Sequence, residues 1–292
     1  MKSLLLTGAS GFLGRYIVRE GVMNYNILGT YHRTPFSYSG VESRRIDLTE
    51  PPFNQLLEFN PDYIVHCAGL TDVDECERSP QDARRLNIGM IKNVASLASE
   101  SCAHLIYIST DAVFDGTDSW WSERDSPNPI NIYGETKLAG ERAATRLHDS
   151  VTVVRTNFFG WSQGDESTLV EWMIDTLNSG AELTGFENVY FTPLYAGDVA
   201  TYLFELLEKE YDGLVHLAGS ERLSKLEFAH TVADVFDIDP SPITPIQVDD
   251  LDLDAPRGND LSLDTSLAAS LLGQEFPNVV TSLEHMRSEG SV

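Results

Sequence analysis

Short apolar runs alternate with stretches in which apolar residues recur every three or four positions, over roughly the first three quarters of the chain. The runs 2–7, 26–31, 63–67, 105–109, 151–155 and 214–217 predict strands, and the stretches 12–21, 83–101, 131–147 and 197–208 predict helices. This alternation predicts an α/β fold, a doubly wound parallel sheet with right-handed crossovers that lay helices on both faces. After Arg155 the regularity weakens. Residues 157–193 combine one helix, near 169–177, with Gly, Asn and aromatic segments, as in an inserted lobe. Residues 240–257 carry Pro240, Pro242, Pro245 and Pro256 and an acidic run at 249–254, and predict irregular structure. That run lacks the glycine and terminal glutamate of a calcium loop, so it reads as a solvated turn and no metal is expected. Residues 288–292 are expected to fray.

The first strand hands over to the first helix through Gly8-Ala9-Ser10-Gly11-Phe12-Leu13-Gly14. Glycine there permits a tight turn, so that amides at a helix N-terminus can bind a pyrophosphate. The spacing is GxxGxxG, and its place between strand and helix is what points to a Rossmann-type dinucleotide site. The second strand ends in His32-Arg33. An acid there would bind ribose hydroxyls, whereas an arginine accepts a 2′-phosphate, which favours NADPH and leaves NADH open. Arg33 also fits a solvated loop. Asp47, before Leu48, could accept from the adenine amine or make only a local turn bond.

Tyr133-Gly134-Glu135-Thr136-Lys137 puts Tyr133 and Lys137 on one face of a helix start. Ser109-Thr110 sits at a strand end, where open parallel sheets bind ligands. A phenol with a free pKa of about 10 is a sluggish proton donor, and a neighbouring ammonium favours its ionised form. Hydride delivery to a carbonyl, with Tyr133 supplying the proton, is chemistry that this pattern can support.

These residues resemble the extended short-chain dehydrogenase/reductases, and within them the dTDP-4-dehydrorhamnose reductase-like branch. The resemblance rests on Thr7 to Gly14, on Ile108-Ser109-Thr110-Asp111-Ala112-Val113-Phe114-Asp115-Gly116 and on Tyr133-Gly134-Glu135-Thr136-Lys137-Leu138-Ala139-Gly140-Glu141. Val154-Arg155-Thr156 and Arg257-Gly258-Asn259 with Leu263-Asp264 also resemble that branch, so nearly the whole chain is covered. The resemblance implies Tyr133 as general acid, Lys137 holding the nicotinamide ribose and tuning Tyr133, and Thr110 bonding the substrate carbonyl. It implies that Cys67-Ala68-Gly69 line the cofactor groove, that Arg155 to Phe158 pass beside the nicotinamide with Asn157 touching the cofactor, and that Asp111 and Phe158 border the substrate. Arg257 would face the sugar nucleotide's phosphates or bracket a structural turn. The implied activity is NADPH-dependent reduction of a 4-keto nucleotide sugar in deoxysugar synthesis. The implied organisation is a dinucleotide-binding core, residues 1–157 and 195–218, with a smaller α/β substrate-binding lobe, residues 158–194 and 219–292.

The sequence departs from the branch at Ala112, where a tyrosine is usual, at Phe158 in place of a tryptophan, and at Tyr190-Phe191-Thr192-Pro193, which replaces a glutamine-containing segment. These changes bear on the sugar rather than on the reaction type. Asn87 reads as a helix-packing residue and His66 as a core histidine rather than a ligand. Trp120-Trp121 either covers the site or marks an interface. Two other readings remain open: an epimerase or dehydratase with tightly held NAD, and a non-catalytic subunit, since the regulatory partner of methionine adenosyltransferase resembles the same branch.

The chain has 292 residues, 42% of them hydrophobic, enough for a packed interior. Its 20 basic and 45 acidic residues leave a net charge of −25, which argues against a general grip on nucleic acid or an anionic membrane. A homodimer remains open. Cys67, Cys76 and Cys102 form no CxxC pair, consistent with a reducing cytoplasm. The apolar run at 4–6 is too short for a signal segment or a membrane span and is expected to be a buried strand. Only Lys2, Lys92, Lys137, Lys209 and Lys225 are lysines. An acidic, lysine-poor surface suits a salty cytoplasm, where a Debye length of roughly 3 Å at 1 M salt suppresses self-repulsion. The thermal unfolding midpoint is therefore expected to rise by several degrees between dilute buffer and molar salt. Greatest stability in dilute buffer would refute the halophilic reading.

Overall fold

The computed structural model describes residues 1–162 and 167–290. The first half of the chain runs β1 Lys2–Thr7, α1 Phe12–Gly21, β2 Tyr25–Tyr31, β3 Glu42–Arg45, α2 Asn54–Leu57 and β4 Tyr63–His66. It continues with α3 Val73–Arg78, α4 Pro80–Arg84, a π-helical turn Arg85–Gly89, α5 Met90–Ser101, β5 His104–Thr110, α6 Ile132–Leu147 and β6 Val151–Thr156. Then follow β7 Phe158–Phe159, α7 Leu169–Asn178, β8 Leu183–Phe186, β9 Tyr190–Phe191, β10 Leu194–Tyr195, α8 Ala196–Lys209 and β11 Gly213–Leu217. The last elements are β12 Leu223–Ser224, α9 Lys225–Val235, β13 Ile243–Ile246, α10 Ser266–Leu272 and α11 Val279–Glu289.

Seven strands form one parallel sheet in the order β3-β2-β1-β4-β5-β6-β11. Successive side chains point to opposite faces, so both faces acquire a core. Leu4, Leu6, Val65, Ile106 and Val154 pack with α1 and α8, while Leu5, Ile64, Leu105, Tyr107 and Val153 pack with α5. The strand order reverses between β1 and β4, and the crevice above their carboxyl ends is where this topology binds ligands. Gly8 turns there with φ +75°, and a Cβ on it would lie 2.8 Å from the Ala68 nitrogen beyond β4. The doubly wound sheet expected from the alternation is thus present.

Several elements differ from the sequence expectation. The helix expected over 83–101 is interrupted by the π-helical turn, whose wider winding carries Asn87 toward the loop after β4. The edge strand β3 reads Glu-Ser-Arg-Arg and has no apolar signal, because one of its sides meets no further strand. Within 240–257, expected to be irregular, β13 pairs in parallel with β8, and Pro245 is tolerated because β13 has only that one partner. Helix α11 includes Ser288 and Glu289, where fraying is expected. Gly290 caps the helix end, and the remainder of that expectation, Ser291 and Val292, lies outside the described residues. Trp161 Nε1 donates to the Met286 carbonyl, and Glu289 accepts from Tyr195 and pairs with Arg19, so α11 is tied to α1.

Beneath the sheet's carboxyl end, Arg155 on β6 pairs with Glu141 on α6 through Nε at 2.9 Å and Nη2 at 2.8 Å, with both side chains buried. Ser109 of β5 donates to the same carboxylate, and the guanidinium lies over the Phe114 ring. Breaking a buried pair leaves an uncompensated charge. Arg155→Met is therefore expected to lower unfolding free energy by about 3–5 kcal/mol, and the double replacement Glu141→Leu with Arg155→Met should regain most of it. Denaturant titration checks this; a single-variant loss below about 1 kcal/mol, the range of an exposed pair, would contradict it.

Candidate active site

Above the sheet, three adjoining cavities of about 320, 300 and 330 Å³ follow one another. The first and second share Gly8, Gly11, Cys67 and Gly69; the second and third share Tyr133, Thr156 and Phe158.

The first cavity is lined by Ser10 and Ala68 at the crevice and, farther out, by His32, Arg33, Asp47 and Leu48. Gly11 offers no side chain to cap α1, which leaves first-turn amides free to meet an anion. Arg33 makes no hydrogen bond or ion pair among the described residues. Asp47 Oδ1 accepts from the Thr49 amide and hydroxyl at 2.9 and 2.7 Å, the local turn bond, while Oδ2 lies 3.5 Å from His32 Nε2. Arg85 also lines this cavity, paired with Asp82 at 3.1 Å. It was hidden in the sequence because only the π-helical turn brings it there. These residues fit a phosphorylated dinucleotide: free amides at the crevice and an unpaired guanidinium at the far end.

The second cavity is lined by Phe12, Leu13, Gly14, Tyr133 and Lys137. Helix α6 starts close to the end of β5: a Cβ on Gly134 would lie 2.1 Å from the Ala112 carbonyl oxygen. Asn131 caps the helix by accepting from the Gly134 amide at 2.8 Å. This start fixes Tyr133 beside Thr110. Burial pushes the Tyr133 phenol above its ordinary value, a hydrogen bond with Thr110 opposes this, and the Asp111 charge adds to it. Lys137 donates to the Ile108 carbonyl at 2.6 Å and lies 4.4 Å from the centre of the Tyr107 ring. Burial pulls its ammonium down to about 8, against the opposing pull of Glu141. Burial, rather than the ammonium expected from the spacing, is the largest influence on Tyr133.

The third cavity holds Thr110, Asp111, Asn157, Phe158 and Arg257 together with Tyr133. Asp111 Oδ1 accepts from the Thr110 hydroxyl at 3.0 Å, and Oδ2 accepts from Asn157 Nδ2 at 2.6 Å. Burial raises the Asp111 carboxyl; Asn157, Lys225 and Thr110 counter it. Arg257 donates to Asp74 and to the Ala255 carbonyl, both at 2.9 Å, so it brackets a turn while lining the cavity. Of the departures from the branch pattern, Ala112, Phe158, Tyr190 and Phe191 line this cavity, and Thr192 and Pro193 do not. Lys225 lines it too, and sequence reasoning missed it. Its signal was a lysine directly after the N-cap serine of a Ser-x-x-Glu capping box in a lysine-poor chain.

The other candidates are structural in this arrangement. Asn87 donates to the Leu70 carbonyl at 2.9 Å and to Thr136 at 3.1 Å, bracing the loop after β4 against α6. His66 Nδ1 bonds the Thr7 hydroxyl at 2.6 Å, and burial pushes the ring down to about 3. Trp121 stacks on Phe114 at 4.6 Å and donates to the Asp260 carbonyl, whereas Trp120 is exposed.

Comparison with known proteins agrees with this geometry. The family model described as RmlD substrate binding domain matches residues 1–291. Among curated relatives, the probable low-salt glycan biosynthesis reductase Agl14 of Haloferax volcanii is 32% identical over 281 residues, 94% of this chain and 93% of that protein. Methionine adenosyltransferase 2 subunit beta of Rattus norvegicus is 33% identical over 289 residues, covering 94% and 84% of the two chains. A crystal structure of dTDP-4-dehydrorhamnose reductase from Bacillus anthracis in complex with NADP superposes with a TM-score of 0.85 at 27% identity, covering 99% of this chain and 100% of that one. Sheet order, crevice and whole-chain match agree: the chain belongs to the RmlD substrate binding domain family.

Proposed function

We propose that this protein is an NADPH-dependent reductase of a 4-keto nucleotide sugar, dTDP-linked, acting in deoxysugar synthesis in the cytoplasm. The observation that carries this reading is the position of Tyr133, the titratable side chain common to the glycine-turn cavity and the cavity beside it. The NADP-bound relative and the probable low-salt glycan biosynthesis reductase support it. No helix among the described residues is long and apolar enough to cross a membrane. On this reading residues 1–157 and 195–218 form the dinucleotide-binding core, and residues 158–194 and 219–292 form the sugar-binding lobe.

When bound, the dinucleotide supplies a hydride to the keto carbon. The α1 amides and Arg33 hold its phosphates, with Phe12, Cys67, Ala68, Gly69 and Asn157 shaping the groove. Tyr133, kept protonated by burial, donates its proton to the carbonyl oxygen. Thr110 orients that oxygen, and Lys137 holds the ribose while its charge favours the phenolate that forms. Asp111, Phe158 and Arg257 border the sugar nucleotide. Because Ala112 leaves space where the branch carries a tyrosine, the preferred sugar differs in shape from that of branch members with the ring.

A second reading, a non-catalytic dinucleotide-binding subunit, is favoured by the likeness to methionine adenosyltransferase 2 subunit beta. An NADPH-oxidation assay over a panel of 4-keto nucleotide sugars, at low and high salt, separates the two. Activity is expected for the reductase; its absence, with stoichiometric copurification of another protein, favours the subunit.

Two outcomes follow from the acid and its lysine. Tyr133→Phe is expected to lower turnover by about 10²–10⁴-fold or more with cofactor affinity nearly unchanged; unaltered turnover would remove the mechanism. Lys137 carries its charge below about 8 and loses it above. The pH profile of kcat should therefore fall as pH rises through that value, and a flat profile from pH 7 to 10 would contradict the role given to Lys137.

A further inference from the structure

Lys225 opens α9 behind Ser224, whose hydroxyl accepts from the Glu227 amide at 3.1 Å and fixes the helix start. Its ammonium lies 3.1 Å from the centre of the Phe191 ring. It lines the cavity of Asp111 and Tyr133, and also an adjoining aromatic chamber of about 210 Å³ walled by Phe12, Phe159 and Phe228. The other cation of this wall, Arg257, is already bonded to Asp74 and the Ala255 carbonyl. The Lys225 ammonium donates no hydrogen bond among the described residues, its backbone amide alone bonding the Val189 carbonyl; Asp111 is the charged group that acts on the ammonium.

The chemistry of the wall narrows its ligand. An ammonium brings three donors, while the Asp111 oxygens, each accepting one side-chain hydrogen bond, retain acceptor capacity. An apolar ligand would leave the ammonium buried without a partner, and an anion would meet the Asp111 charge. Neighbouring hydroxyls on a sugar ring satisfy both groups, since each hydroxyl gives one hydrogen and accepts others. The Phe191 ring beside them offers an apolar surface for ring C–H groups.

We infer that Lys225 is a substrate-binding residue that donates to a hydroxyl of the sugar ring, next to one that bonds Asp111, and so holds the keto group at Tyr133. This rests on the sugar-nucleotide reading above. Lys225→Met keeps the length of the side chain and removes the donors. It is expected to raise KM for the 4-keto nucleotide sugar about tenfold or more, with a smaller change in kcat, and Lys225→Arg should recover part of the loss. One of the 2-deoxy and 3-deoxy analogues should bind wild type and Lys225→Met equally, which identifies the hydroxyl. Unchanged KM in Lys225→Met, or an equal penalty on the parent and both deoxy analogues, would overturn the assignment.

Calorimetric binding of the reduced nucleotide sugar and of its deoxy analogues, measured alongside, separates this inference from the reductase reading. Binding weakened by Lys225→Met without any NADPH consumption would sink the reductase and keep Lys225. Turnover and binding both indifferent to Lys225→Met would do the reverse. Wild type that neither binds nor turns over the sugar nucleotide would overturn both.

Discussion

The buried ion pair between Glu141 and Arg155 joins the middle of α6 to β6, and Ser109 of β5 bonds the same carboxylate. Three elements are thereby held in one register at the sheet's carboxyl end. One and two helical turns before Glu141, on the same face of α6, stand Lys137 and Tyr133. The ion pair therefore sets how far Tyr133 reaches over the sheet, and the close approach of Gly134 to Ala112 sets how near it comes to Thr110. Glu141 and Arg155 line none of the three cavities. Both devices decide whether the phenol stands where two cavities meet.

Much of this frame was legible because it is written in local patterns. Apolar runs that feed both faces of a covered sheet marked β1, β2, β4, β5, β6 and β11, and the glycine turn marked the crevice. The polar edge strand β3 escaped, since half of its surroundings is solvent. The π-helical turn escaped as well: a single widened turn hardly alters an apolar period of three or four, although it decides where Asn87 and Arg85 lie. Lys225 comes from an element distant in sequence, and only the tertiary fold carries it to the cavity that Asp111 lines. The electrostatic sign of the site was the least legible feature. Spacing placed a lysine one turn from a tyrosine, but the largest influence on the phenol is burial, which depends on how the chain packs in three dimensions.

Ala112, Phe158, Tyr190 and Phe191 lie far apart in sequence yet surround one cavity, while the glycine turn, Tyr133 and Lys137 keep the branch pattern. On the proposed reading, the departures lie where a sugar would rest and the matches where a dinucleotide would meet the acid. A family that keeps one reaction and changes its substrate is expected to distribute its residues in this way.

Helix α11 binds α1 through Glu289, which meets both Arg19 and Tyr195. Arg19 is made long before Glu289. Until α11 has been made, that flank of the first crossover lacks its cover, and apolar surface around Tyr195 waits for its partner. A chain released early would hold most of its sheet and still present a greasy seam to its neighbours, a hazard that molar salt would sharpen.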